Sequence, residues 1–131
     1  MSRRELREQI FKLLFRVEFN KMEDMPEQEQ LFFEDEDAAK QEDAVYVSEK
    51  FRKIFGKLPE IDSRLNEKAE GWNTTRMSKV DLTILRLAVY EICYDEDVPT
   101  GVAINEAVEL AKKFGQDASS GFVNGILAKF A

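Results

Sequence analysis

Apolar positions near the end of the chain recur with helical spacing. After Pro99 and Thr100 come Ile104, Ala107, Val108, Ala111 and Phe114, which predicts an amphipathic helix. Gly115 is expected to end it by entering the left-handed C′ conformation that glycine adopts cheaply. Asp117 and Ser119 are candidate caps for a following helix, whose apolar face is Val123, Ile126, Leu127 and Phe130. Upstream, Leu6, Ile10, Leu13, Leu14 and Val17 predict a first helix over 3–20. Short helices follow over about 27–35, with Leu31, Phe32 and Phe33, and over about 42–57, with Val47, Phe51, Ile54, Phe55 and Leu58 facing inward. Pro59 opens another, with Ile61, Leu65 and, as a further candidate, Trp72 on its inner side. Residues 79–94 are apolar nearly all round, which predicts a central buried helix. Ser78 and Asp81 form a weakened capping box at its start. No alternating strand pattern appears. The pattern predicts an all-α fold of about seven helices in a single domain over 1–131. The polar stretch Asn73-Thr74-Thr75 divides an N-terminal half (about 1–74) from a C-terminal half (about 75–131).

Composition narrows the chemistry. The 131 residues include 44% hydrophobic and 34% charged side chains, with one cysteine and no histidine. Without histidine there is no Ser-His or Cys-His catalysis, no His-based zinc site and no ordinary base near neutral pH. No catalytic residue, cofactor or metal is expected. Cys93 lies in an apolar helical stretch and reads as a small core residue. No apolar run reaches membrane-spanning length and the basic N-terminus lacks an apolar leader segment, so a cytoplasmic protein without membrane contact is expected. Arg86, within the central helix, is costly to bury unpaired and should meet an acid; Glu91 and Glu106 are candidates.

The net charge of −7 conceals an asymmetry. Residues 1–21 carry +3, residues 22–43 carry −9, and the remainder −1. The acidic segment reads by default as a solvated connector. At about 100° per residue, Arg4, Arg7, Phe11 and Phe15 share one sector of the first helix, with Arg3 beside it. Arginine grips phosphate with a rigid fork of donors, and an aromatic face stacks on a base for about 1–3 kcal/mol. That edge suits single-stranded nucleic acid. Equally, the two phenylalanines could widen the core stripe while the arginines are solvated; Glu5 and Glu8 on the same helix favour this plainer reading.

The string Ala103-Ile104-Asn105-Glu106-Ala107-Val108-Glu109-Leu110-Ala111-Lys112, then Phe114-Gly115, then Phe122-Val123-Asn124-Gly125-Ile126-Leu127 closely resembles the C-terminal signature of the NusB family of bacterial transcription antitermination factors. Asn124 and Gly125 within a helix are poor choices for helix stability, which adds to its distinctiveness. The resemblance is strong from Val80 to Phe130, moderate over the first helix and weak between. It implies two small helical bundles packed together. It also implies recognition of a boxA element in nascent ribosomal RNA, jointly with the ribosomal protein NusE and tethered through the assembly to elongating RNA polymerase. Arg3, Arg4 and Arg7 match the family's arginine-rich N-terminus and Phe15 a family aromatic. Ala118, Ser119 and Phe122 match the start of the last helix, where free N–H groups and a partial positive charge suit phosphate. Asp81 matches a residue that meets NusE. Glu5 interrupts the arginine cluster and Gly121 replaces a larger, often basic residue, so greater reliance on the partner is expected.

Two readings follow. One is an RNA-binding antitermination factor without chemistry of its own. The other is a helical adaptor or homodimer that binds protein alone. NusB-like domains also occur fused to ribosomal RNA cytosine methyltransferases, but without a glycine-rich cofactor-binding βα unit, methyl transfer is not expected of this polypeptide.

Overall fold

A computed structural model of the chain describes residues 1–35 and 37–131. The described residues contain seven α-helices and no strand, as the hydrophobic spacing predicts. They divide into two compact units, Met1–Phe55 and Gly56–Ala131. The boundary lies between the third and fourth helices rather than at Asn73-Thr74-Thr75, which forms part of a turn inside the second unit.

The first unit holds α1 (Arg3–Phe15), α2 (Met25–Glu34) and α3 (Glu42–Phe55). The expected first helix is α-helical to Phe15 and tightens to a 3-10 turn over Arg16–Phe19. Its stripe works largely as predicted: Ile10, Leu13, Leu14 and Val17 are buried and Leu6 is half-buried, and α1 packs on α3, whose Val47, Phe51 and Ile54 are buried. The acidic segment is more than a solvated connector. Met25 and Phe32 are core residues of α2, and Ala38 and Ala39 are buried beyond it. The buried Glu29 accepts a hydrogen bond from the Ser48 hydroxyl and is 3.2 Å from the Arg52 guanidinium. A buried carboxylate is tolerated because donors replace its lost water. Leu31, in contrast, stays in solvent.

The second unit holds α4 (Leu58–Lys68), α5 (Lys79–Tyr94), α6 (Thr100–Phe114) and α7 (Ser119–Leu127). Helix α5 packs against α4, α6 and α7, and every residue from Leu82 to Glu91 is buried. A nearly uniform apolar sequence here reports a central position. Arg86 survives in that setting through a bidentate pair with Asp62 of α4, Nε to Oδ1 at 2.9 Å and Nη2 to Oδ2 at 2.8 Å. Asp62 was not among the acids the sequence suggested, because the α4–α5 pairing is invisible in a periodicity. Cys93, expected in the core, is half-buried. Trp72, expected to face inward, lies beyond the end of α4 with 46% of its surface exposed.

Gly115 ends α6 for a different reason than the one expected. Its backbone is extended (φ −92°, ψ −169°), not left-handed. A Cβ at this position would lie 2.6 Å from both Cβ and Oγ of Ser119 and 2.8 Å from the Ala111 carbonyl oxygen. The requirement is room for the first turn of α7. Nor do Asp117 and Ser119 cap that helix: Ala118 is its N-cap and no side chain caps it. Ser119 Oγ instead accepts the Gln116 N–H at 3.0 Å, bracing the α6–α7 turn.

Candidate nucleic-acid interface

In the first unit, the start of α1 is set by Ser2 and Glu5. Ser2 Oγ accepts the Glu5 N–H at 3.1 Å and the Glu5 carboxylate accepts the Ser2 N–H at 3.0 Å, a complete capping box. The hydrogen bond from the Ser2 backbone lowers the Glu5 pKa. The acid that interrupts the arginine cluster therefore has a local structural task. The N-terminal amine is held 3.0 Å from Asp43, whose hydrogen bond raises the amine's pKa. This arrangement puts Arg3 and Arg4 on the exposed first turn, with Arg7 half-exposed one turn on.

The aromatic side chains of this edge grade from core to solvent. Phe11 is buried, Phe15 is half-buried, and Phe19 is 60% exposed. Phe11 and Phe15 stack with centroids 6.0 Å apart; Phe15 and Phe19 meet edge to face at 5.0 Å. Phe11 thus belongs to the core, as the plainer reading of that sector held, whereas Phe15 keeps a solvent-facing part. Phe19 continues the series and was missed. Its i, i+4, i+8 spacing with Phe11 and Phe15 was the available signal.

In the second unit, Ala118 is exposed, Phe122 is half-buried on the first turn of α7, and Ser119 is 5% exposed. The Ser119 hydroxyl is engaged by the Gln116 N–H, so its contribution to a surface is to shape the turn. Gly121 and Gly125 are exposed with nothing within 4 Å of a would-be Cβ. No crowding explains either glycine. Phe122 meets Trp72 edge to face at 5.2 Å, and the Arg76 guanidinium lies 5.6 Å from the Trp72 ring centroid. Neither Trp72 nor Arg76 was a candidate from the sequence, since Trp72 reaches Phe122 only through the packing of this unit. Asp81 occupies the first turn of α5, where its N–H donates to Ser78 Oγ at 3.1 Å. Its side chain is half-buried, and Oδ1 is buried without a hydrogen-bond partner among the described residues. An aspartate is one methylene too short to complete the box that Glu5 completes on α1.

No helix among the described residues is long and apolar enough to cross a membrane. The surfaces carry arginine, aromatic rings and an uncapped helix N-terminus, groups that bind polyanions and bases.

Comparison with known proteins agrees with this character. The model of the NusB family matches residues 4–131. A transcription antitermination protein NusB from Agathobacter rectalis is 51% identical over 131 residues, the full length of both chains. A solved structure described as T. maritima NusB is 39% identical and superposes with a TM-score of 0.86, covering 100% of this chain and 91% of that one. A structure of the antitermination factors NusB and NusE in complex with dsRNA shares the fold at 23% identity and a TM-score of 0.84, over 98% of this chain and 94% of that one. A family match over residues 4–131, together with a relative 51% identical over the full length of both chains, leaves one assignment: the chain belongs to the NusB family.

Proposed function

We propose that this protein is a cytoplasmic antitermination factor without catalytic chemistry, which binds boxA-type leader RNA together with NusE. The observation that carries the reading is the graded edge of α1. Arg3 and Arg4 are exposed, Arg7 is half-exposed, and the half-buried Phe15 leads to an exposed Phe19. Such an edge binds phosphate and bases locally even though the molecule as a whole is acidic, because nearby charges dominate within a Debye length of about 8–10 Å. The start of α7, with Ala118, Ser119 and Phe122, is the second RNA-facing segment in this reading. Asp81 supports the partner role: a buried carboxylate oxygen without a donor favours a surface that brings one. NusE is the proposed source.

The test is RNA titration at several salt concentrations, with and without NusE. Arg4→Ala/Arg7→Ala should weaken binding and lower the slope of log K against log salt by about 1.4, near 0.7 for each lost contact to a single strand. Unchanged affinity and slope would remove both arginines from the site. The adaptor reading draws on the exposed Phe19 and Met22; it requires NusE or self-association without any RNA shift.

A further inference from the structure

We infer that Trp72 and Arg76 form a base-stacking station that extends the RNA surface from α7 onto the turn between α4 and α5. This inference rests on the RNA-binding reading above and adds residues which that reading does not contain.

Three features of the second unit carry it. First, Trp72 is the chain's one tryptophan and leaves 46% of its surface in water, whereas an indole ordinarily finds extensive burial. Second, the turn that carries it is tied down. Ala69 accepts the Trp72 N–H at 2.9 Å, and Gly71 takes the left-handed conformation (φ +78°) that turns the chain there. Asn66 Oδ1 accepts the Thr74 N–H at 2.8 Å, Asn73 Oδ1 accepts the Thr75 N–H at 3.1 Å, and the Asn73 carbonyl accepts the Arg76 N–H at 3.0 Å. A turn held this way needs little further ordering of its backbone on binding, so more of the stacking energy appears as affinity. Third, the ring's neighbours suit a nucleotide. Phe122 meets it at 5.2 Å and the Arg76 guanidinium lies 5.6 Å from its centroid. Arg76 Nη1 makes only a long, 3.4 Å bond to the Gly71 carbonyl, and no carboxylate pairs with the guanidinium among the described residues. It is therefore positioned to take a phosphate while the indole takes the base. Glu70 on the same turn opposes a polyanion, and Lys129, 4.0 Å away, offsets it.

The occupant favoured is single-stranded RNA rather than a protein, because an exposed indole with a guanidinium beside it matches a base and its phosphate. Because Trp72 is the only indole, its emission reports on this station alone. The experiment titrates the full chain, with and without NusE, with a boxA-like single-stranded oligoribonucleotide. Anisotropy of labelled RNA and Trp72 fluorescence are read together. Saturable quenching with the midpoint of the anisotropy curve is expected. Trp72→Ala should weaken binding about 5- to 100-fold, Trp72→Phe should restore most of it, and Arg76→Ala should lower the salt slope by about 0.7. If wild type binds RNA while Trp72 emission stays constant and Trp72→Ala binds normally, the station is refuted and the α1 surface stands. If NusE alone quenches Trp72 and the alanine variant loses NusE rather than RNA, the station is a protein contact and the inference fails. If wild type binds no RNA in either condition, the functional reading itself fails. Circular dichroism confirms the fold of each variant; should Trp72→Ala unfold, wild-type quenching and Trp72→Phe still decide.

Discussion

Gly115 offers a sharp test of how the α6–α7 pair is built. Its extended backbone is open to any residue, so alanine there carries no torsional penalty. Space is the obstacle. The added Cβ would stand 2.6 Å from two Ser119 atoms and 2.8 Å from the Ala111 oxygen, about 1 Å inside normal contact. Ala111 O cannot retreat freely, because it accepts the Gly115 N–H at 2.9 Å. Moving Ser119 strains its 3.0 Å bond to Gln116. Overpacking of this kind costs about 1–3 kcal/mol and the weakened hydrogen bond about 1 kcal/mol. Restricting the unfolded chain returns about 0.4–1 kcal/mol. Gly115→Ala should therefore destabilise by about 1–3 kcal/mol, a fall in Tm on the order of 4–10 °C. Urea unfolding followed by circular dichroism, with an unchanged m value, measures it. Gly115→Asn discriminates the cause. A left-handed cap would accept asparagine better than alanine, whereas crowding makes the longer side chain at least as harmful. An asparagine variant more stable than the alanine variant, or an alanine variant within about 0.5 kcal/mol of wild type, would refute the close-approach argument.

Two further outcomes follow from charged groups. Asp62→Ala strips Arg86 of its bidentate partner, and halving a buried pair costs about 3–5 kcal/mol. Partial exposure of Asp62 (24%) puts the expected loss nearer about 2–3 kcal/mol, and Asp62→Leu/Arg86→Met should recover much of it; a loss too small to measure in urea unfolding would show that Asp62 is dispensable to Arg86. Glu5 has a folded-state pKa below its ordinary 4.5. Its contribution to the α1 cap is thus complete above that value and lost as pH falls through the lowered one. The stability gap between wild type and Glu5→Ala should close on acidification, and a gap independent of pH between 3 and 6 would contradict the capping role.

Local pattern carried the sequence reading a long way. Apolar spacing of 3.6 residues located most of the helices, because an amphipathic helix must turn one stripe toward a core; the run Leu31-Phe32-Phe33 marked α2 without such spacing, and Leu31 stays in solvent. Uniform hydrophobicity marked α5 as central for the same reason. The Arg4, Arg7, Phe15 sector could be drawn because neighbours along one helix have a known angular relation. The Ser2–Glu5 capping box has its sequence signal in the three-residue spacing of the pair, even though the same Glu5 interrupts the arginine cluster.

What spacing leaves open is everything that depends on which helix meets which. Asp62 became the partner of Arg86, and Trp72 the neighbour of Phe122, through packing between segments far apart in the chain. Gly115 is needed because another helix arrives within a side chain's width of it. The amino-acid order thus determined the elements, their buried faces and the family, since these follow from local periodicity and a contiguous signature. Tertiary structure alone decided the ion pairs, the tight turn and the exposed indole, since the energy of a contact depends on distances that no one-dimensional pattern contains.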